Sequence, residues 1–111
     1  MVVPVYEITQ RRALVTRGVA REFADYVRDE PDVSPLILDL AGVLVMAPGF
    51  FDELLGKISD FPNGPVRTIT IKNAPRPLAE KDRAVARGRD AQIEQVNDSD
   101  WEIRLPARTP A

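Results

Sequence analysis

LILDLAGVLVMAPGFFDELLGKI, residues 36–58, is the stretch whose reading decides the fold. Leu36, Ile37, Leu38 and Leu40 form an almost continuous apolar run with Asp39 set into it, which suits a central strand covered on both faces better than an edge strand. Phe50, Phe51, Leu54, Leu55 and Ile58 then recur at spacings of three and four, so the period switches from strand to helix within a few residues. Between them Gly42 to Gly49 reads as a loop that leaves the carboxyl end of a core strand and enters a helix amino terminus. Open α/β sheets usually carry their function there.

Working outward, Thr16 has the hydroxyl of an N-cap, and Val19, Phe23 and Val27 stand four apart behind it, predicting a helix over 17–28. Asp29 to Asp32 ends that helix, because Pro31 disfavours helical geometry at Glu30. Upstream, Val2 to Ile8 alternates like a strand, and Pro4 favours an edge position. Ala13, Leu14 and Val15 suit a second short strand pairing back on it. Downstream, Asp60 to Pro65 is a turn-rich breaker, Val66 to Ile71 a β-branched strand, and Lys72 to Pro77 another loop. Leu78 to Val96 reads as one helix, although Asp82 and Arg89 interrupt its apolar stripe and Gly88 weakens its middle. Trp101, Ile103 and Leu105 alternate as a last strand. Residues 1–105 thus form one domain, and 106–111 a disordered tail. The expected core includes Leu38, Leu40, Leu54, Leu55, Ile58 and Ile69.

Composition narrows the chemistry. The 111 residues contain no cysteine and no histidine. That excludes disulfides, thiolate nucleophiles, Ser-His pairs and zinc sites built from nitrogen and sulfur ligands. The net charge of −2 argues against non-specific nucleic-acid binding, which needs a clustered basic face. No apolar run is long enough for a membrane span, and the amino terminus lacks a secretory pattern, so the expected location is the cytoplasm. No glycine pattern for a nucleotide is present, and no cofactor or metal is expected.

The order of Thr16-Arg17 opening a helix, a short acidic turn, LILDLAGV and then GFFDELLGKI resembles the STAS-like domain family of unknown function. In that bacterial family a Ser-Arg opens the first helix, an Asp sits in the core strand, and an aromatic-x-Asp-Glu-Leu run begins the next helix. The matching residues are Thr16, Arg17, Asp39, Asp52 and Glu53, and the resemblance covers residues 13 to 97. It implies an α/β fold, a mixed sheet of about four or five strands with helices mainly on one face. It also implies an interaction module rather than an enzyme. In the related anti-sigma-factor antagonists the loop corresponding to 42–49 carries a phosphorylated serine. Aligning Gly49 with that motif places Met46, Ala47 and Pro48 where the acid and hydroxyls stand, so the phosphoacceptor is missing.

Asp52 and Glu53 fall in the first turn of their helix, where carboxylates meet the dipole favourably. Adjacent helical residues point about 100° apart, so the two do not converge on one substrate, and no catalytic residue is assigned. Asp39 must be hydrogen-bonded or reach solvent, and is expected to fix the following loop through backbone amides. For Arg17, Arg21 and Arg28 a solvated helix face is the simplest reading.

Three functions fit this pattern. The first is a regulatory module in bacterial signalling that docks a protein through Met46, Ala47, Pro48, Gly49 and Phe50, the partner being a histidine-kinase-like ATPase or another signalling protein. The second is a small-molecule or nucleotide sensor that holds an anion at the helix amino terminus near Gly49. The third is a homo-oligomer joined through edge strands carrying Val3, Val5, Trp101 and Ile103.

Overall fold

The computed structural model describes residues 1–29, 35–61, 68–75 and 78–106. Along the chain these form β1 (Val2–Pro4), α1 (Val5–Thr9), β2 (Ala13–Leu14), α2 (Arg17–Arg28), β3 (Leu36–Asp39), β4 (Val45–Met46), α3 (Pro48–Ser59), β5 (Thr68–Lys72), α4 (Leu78–Gly88), β6 (Gln92–Gln95) and β7 (Trp101–Arg104). The fold is α/β. Five strands make a mixed sheet in the order β1-β3-β5-β7-β6, and β2 pairs with β4 in a separate two-stranded ribbon. Strands β1, β3 and β5 run parallel, while β7 is antiparallel to both β5 and β6.

The steps from β1 to β3, β3 to β5 and β5 to β6 all cross the sheet in one direction between parallel strands. Right-handed crossovers therefore place α2, α3 and α4 on the same face. Register aligns two apolar rows beneath them: Val3, Leu38, Ile71 and Trp101 in one, Leu36, Ile69, Ile103 and Ile93 in the other. Helix α3 packs between α2 and α4 and buries Phe50, Phe51, Leu54, Leu55 and Ile58. All six residues expected in the core are buried.

Several expectations need correction. Strand β3 alternates between buried and half-buried positions, because helices cover only one face and Ile37 lies on the other, between Val2 and Thr70. The first strand stops at Pro4 and the chain turns into α1, which ends at Gln10 in the left-handed region with φ 57°. Strand β2 does not pair back on β1 but runs parallel to β4. The long helix ends at Gly88. Asp90 adopts a left-handed φ of 58°, and residues 92–95 become β6, so Ile93 joins the sheet instead of a helix stripe. Val3, Val5, Trp101 and Ile103 are buried, and β7 is flanked on both sides. These four side chains are therefore packed inside the fold, and β1 and β6, not β7, are the edges of the main sheet. Part of the acidic turn (30–32), most of the breaker (62–65), residues 66–67, 76–77 and 107–111 of the tail lie outside the described residues.

The residue that interrupts the stripe of α4, Asp82, is 2% exposed, and neither carboxyl oxygen has a hydrogen-bond partner among the described residues. Burial pushes its carboxyl up to about 8. The folded chain thus retains a proton there that an unfolded chain releases near pH 4. Stability must fall as pH rises from that value through about 8. Asp82→Ala, which also favours the helix, is expected to raise stability by roughly 1 to 3 kcal/mol at pH 8 and by less at pH 5. Denaturant melts at the two pH values measure this; an equal change at both would mean that Asp82 does not titrate on folding.

Candidate functional site

The segment after β3 begins with a tight turn. Val43 N–H donates to Leu40 C=O at 2.9 Å, and Gly42 holds φ +89°. A Cβ at Gly42 would meet the Tyr6 ring at 3.1 Å, so both conformation and space require glycine there. Asp39 fixes the approach to this turn. Its Oδ1 accepts from Ala41 N–H and from Asn73 Nδ2, each at 2.9 Å. The bond from Asn73, then that from Ala41, holds the Asp39 carboxyl below the usual carboxylate range. Asn73 N–H in turn donates to Asp100 Oδ1 at 3.1 Å, so the carboxyl ends of β3 and β5 are joined to the start of β7.

Half of what read as one loop over 42–49 belongs to two elements, β4 and the start of α3. Leu44 and Val45 N–H groups donate to Arg12 C=O at 2.7 and 3.2 Å, and Ala47 N–H donates to Leu14 C=O at 2.8 Å. Helix α3 already starts at Pro48, a proline at the first helical position, where its missing N–H costs nothing. The five candidate docking residues therefore divide. Met46 and Phe50 are buried and face the core, whereas Ala47, Pro48 and Gly49 are half-buried. The outward face of the ribbon was not singled out from the sequence. Its side chains are Ala13 and Val45, paired across the strands, with Val15 and Leu44 beside them. Val15 is 55% exposed, Leu44 62% and Val45 48%. All four paired residues are apolar, so no alternation in the sequence marks which of them face outward.

Of the residues that carry the resemblance, Arg17, Asp52 and Glu53 meet in a connected charge cluster on the helix layer, while Asp39 stands apart at the end of β3. Thr16 Oγ1 caps α2 by accepting from Val19 N–H at 3.2 Å, which presents Arg17 toward α3. Arg17 Nη1 lies 2.8 Å from Asp52 Oδ2 and 3.5 Å from Glu53 Oε2, and Arg21 Nε lies 3.7 Å from Glu53 Oε1. Arg89, in the turn after α4, donates from Nε to Asp52 Oδ1 at 2.7 Å. Gly56 makes room for it, since a Cβ there would stand 2.9 Å from the guanidinium nitrogens. Among the described residues, Arg28 pairs with Asp25 and Asp29 of its own helix and cap. A cleft of ≈ 460 Å³ opens beside this cluster between Glu53, Gly56, Lys57, Ser59, Asp60 and Arg89. Among the described residues, no group of three or more carboxylates could hold a metal ion, and no helix is long and apolar enough to cross a membrane.

Bonds from Arg89 and then Arg17 hold the Asp52 carboxyl below its usual range. Its stabilising contribution is complete above the ordinary carboxylate value near pH 4 and is lost as pH falls through the depressed one. Asp52→Asn should therefore lower Tm at neutral pH, and the difference from the parent should close as the pH is taken below about 4. A gap that persists unchanged in acid would show that charge is not what Asp52 supplies. Separately, Ala47 is the N-cap of α3 and makes no side-chain cap bond. Ala47→Ser is expected to stabilise the chain by about 1 kcal/mol, read from the denaturation midpoint; no gain would mean that the cap amides are already satisfied. Comparison with protein-family models, curated proteins and solved structures finds no match, and the resemblance to STAS-like domains rests on the motif residues themselves.

Proposed function

We propose that this chain is a non-enzymatic regulatory module that binds a protein partner in bacterial signalling, through the segment 42–49 and the helix that it feeds. The carrying observation is the outward face of the β2–β4 ribbon. Single exposed apolar side chains are ordinary, but neighbouring ones on one rigid element mark interaction sites. Here Val15, Leu44 and Val45 project from a ribbon that buried Leu14 and Met46 hold in place. The docking residues are accordingly Leu44 and Val45 together with Ala47, Pro48 and Gly49, rather than Met46 or Phe50. A histidine-kinase-like ATPase is the partner class that the family resemblance favours.

A non-catalytic role is supported by the carboxylates of the motif. Both oxygens of Asp52 are engaged by guanidinium groups, and Asp39 is tied to a backbone amide and an asparagine. The anion-sensing alternative is weaker, because Arg17, the cation beside Gly49, is already paired with Asp52 and Glu53.

A photo-crosslinking residue in place of Leu44 should capture a protein partner, and the same residue in place of exposed Glu94 on β6 should not. Val45→Glu should weaken the captured partner's binding by roughly a hundredfold, since it would bury an unpaired charge at the contact. Stability should move by about 0.5 kcal/mol or less. Crosslinks of equal yield at both positions, with full affinity in Val45→Glu, would move the docking surface elsewhere.

A further inference from the structure

We infer that the free edge of β2 accepts an extended, apolar and acidic segment of the partner as a third strand of the ribbon. This rests on the protein-docking reading above and specifies the form that the partner takes.

The backbone geometry carries the inference. Arg12 C=O accepts from Val45 N–H, and Leu14 C=O accepts from Ala47 N–H. In a parallel ladder with Ala13 opposite Val45 and Leu14 opposite Met46, those bonds turn Arg12 and Leu14 toward β4. The N–H and C=O groups of Ala13 and Val15 then point to the opposite edge. No described residue hydrogen-bonds to them. An unpaired row of this kind is a template for another extended chain.

Edges that proteins leave bare are usually blunted, and the other edges here are. At one end of the main sheet β1 ends in Pro4, which cannot donate to a ladder. At the other, β6 presents Gln92, Glu94 and Gln95. The far side of the ribbon is closed as well, because Met46 is buried and Pro48 starts α3. The edge of β2 has neither a proline nor a charged side chain within Ala13, Leu14 and Val15.

Side chains define the occupant. A strand beside β2 would set every second residue against Ala13 and Val15, with Val45 next to them on the same face, so those residues should be apolar. Arg11 and Arg12 are exposed immediately before β2. Arg12 lies 5.1 Å over the Tyr6 ring, and among the described residues neither arginine has an ion pair. Carboxylates in the incoming segment would meet them. A second copy of this edge would instead bring its own Arg11 and Arg12 to the contact, and like charges across paired strands are unfavourable.

The test is to pan a displayed random peptide library against the full chain, synthesise the leading sequence and measure its binding. Enriched peptides should alternate apolar residues with Asp or Glu. In the bound state, amide hydrogen exchange by NMR should slow at least tenfold at Ala13 and Val15, a readout that needs no variant. Ala13→Pro removes an edge donor without breaking a bond to β4, and should weaken binding roughly tenfold; its melting curve checks the fold. No enrichment, or binding that leaves both amides exchanging as in the free chain, overturns the inference. The docking reading is judged separately on the partner captured at position 44. If that partner is lost on Val45→Glu but indifferent to Ala13→Pro, docking stands and strand addition falls; if it is indifferent to both substitutions, both fall.

Discussion

Burial of one face of α3 is the constraint on which the remaining structure depends. Phe50, Phe51, Leu54, Leu55 and Ile58 all point into the space between the sheet and the neighbouring helices. At roughly 1.5 to 3 kcal/mol for each fully buried large side chain, this face outweighs any polar contact in the molecule. The ion pairs of Arg17 and Arg89 with Asp52 are partly open to solvent and belong to a class worth about 0 to 1 kcal/mol each. They set the orientation of α2 and of the turn after α4 relative to α3, while the apolar face supplies the cohesion. The cross-strand rows from Val3 to Trp101 and from Leu36 to Ile93 provide the surface against which that face can pack.

The parts of the fold legible in the sequence were those where local pattern and tertiary environment agree. The period of α3 and the alternation of β7 depend on contacts that every residue of the element repeats, and the Thr16 cap of α2 on one bond to an amide three residues away. The failures share another cause. The segment from Val2 to Ile8 alternates correctly for a strand, yet Pro4 cannot donate to a ladder and Val5 is needed in the core. Strand β6 sits at the end of what read as a helix, because the break at Gly88 to Asp90 depends on one left-handed residue, which an asparagine or aspartate signals only weakly.

The candidate site shows the same division. Asp39, Arg17, Asp52 and Glu53 stood out as types in unusual places, and their partners, Asn73 and Arg89, come from elements more than thirty residues away. Nothing local in a sequence marks such partners. The ribbon was hidden for a related reason: two residues from each strand carry too little pattern to register as a sheet, and only their pairing explains why Leu14 and Met46 are buried while Ala13 and Val45 are not. Length also limits what such a ribbon can do alone, since a pair of strands gains lasting order only by packing on a larger body. Here the turn at Gly42 and the start of α3 supply that body.

Gly56 gives the charge cluster an inheritance rule. Because the Arg89 guanidinium, the far end of a flexible side chain, occupies the space that a side chain at 56 would fill, a larger residue at 56 is accommodated only by moving Arg89. A lineage that acquired alanine at 56 would have to shift the Arg89 guanidinium away from that position, loosening its hold on Asp52, and a later loss of Arg89 would then cost less. A lineage that lost Arg89 first would be released from glycine at 56. Among divergent copies of this chain, a larger residue at 56 should therefore accompany the loss or re-aiming of Arg89, a one-way correlation imposed by volume rather than by any shared ligand.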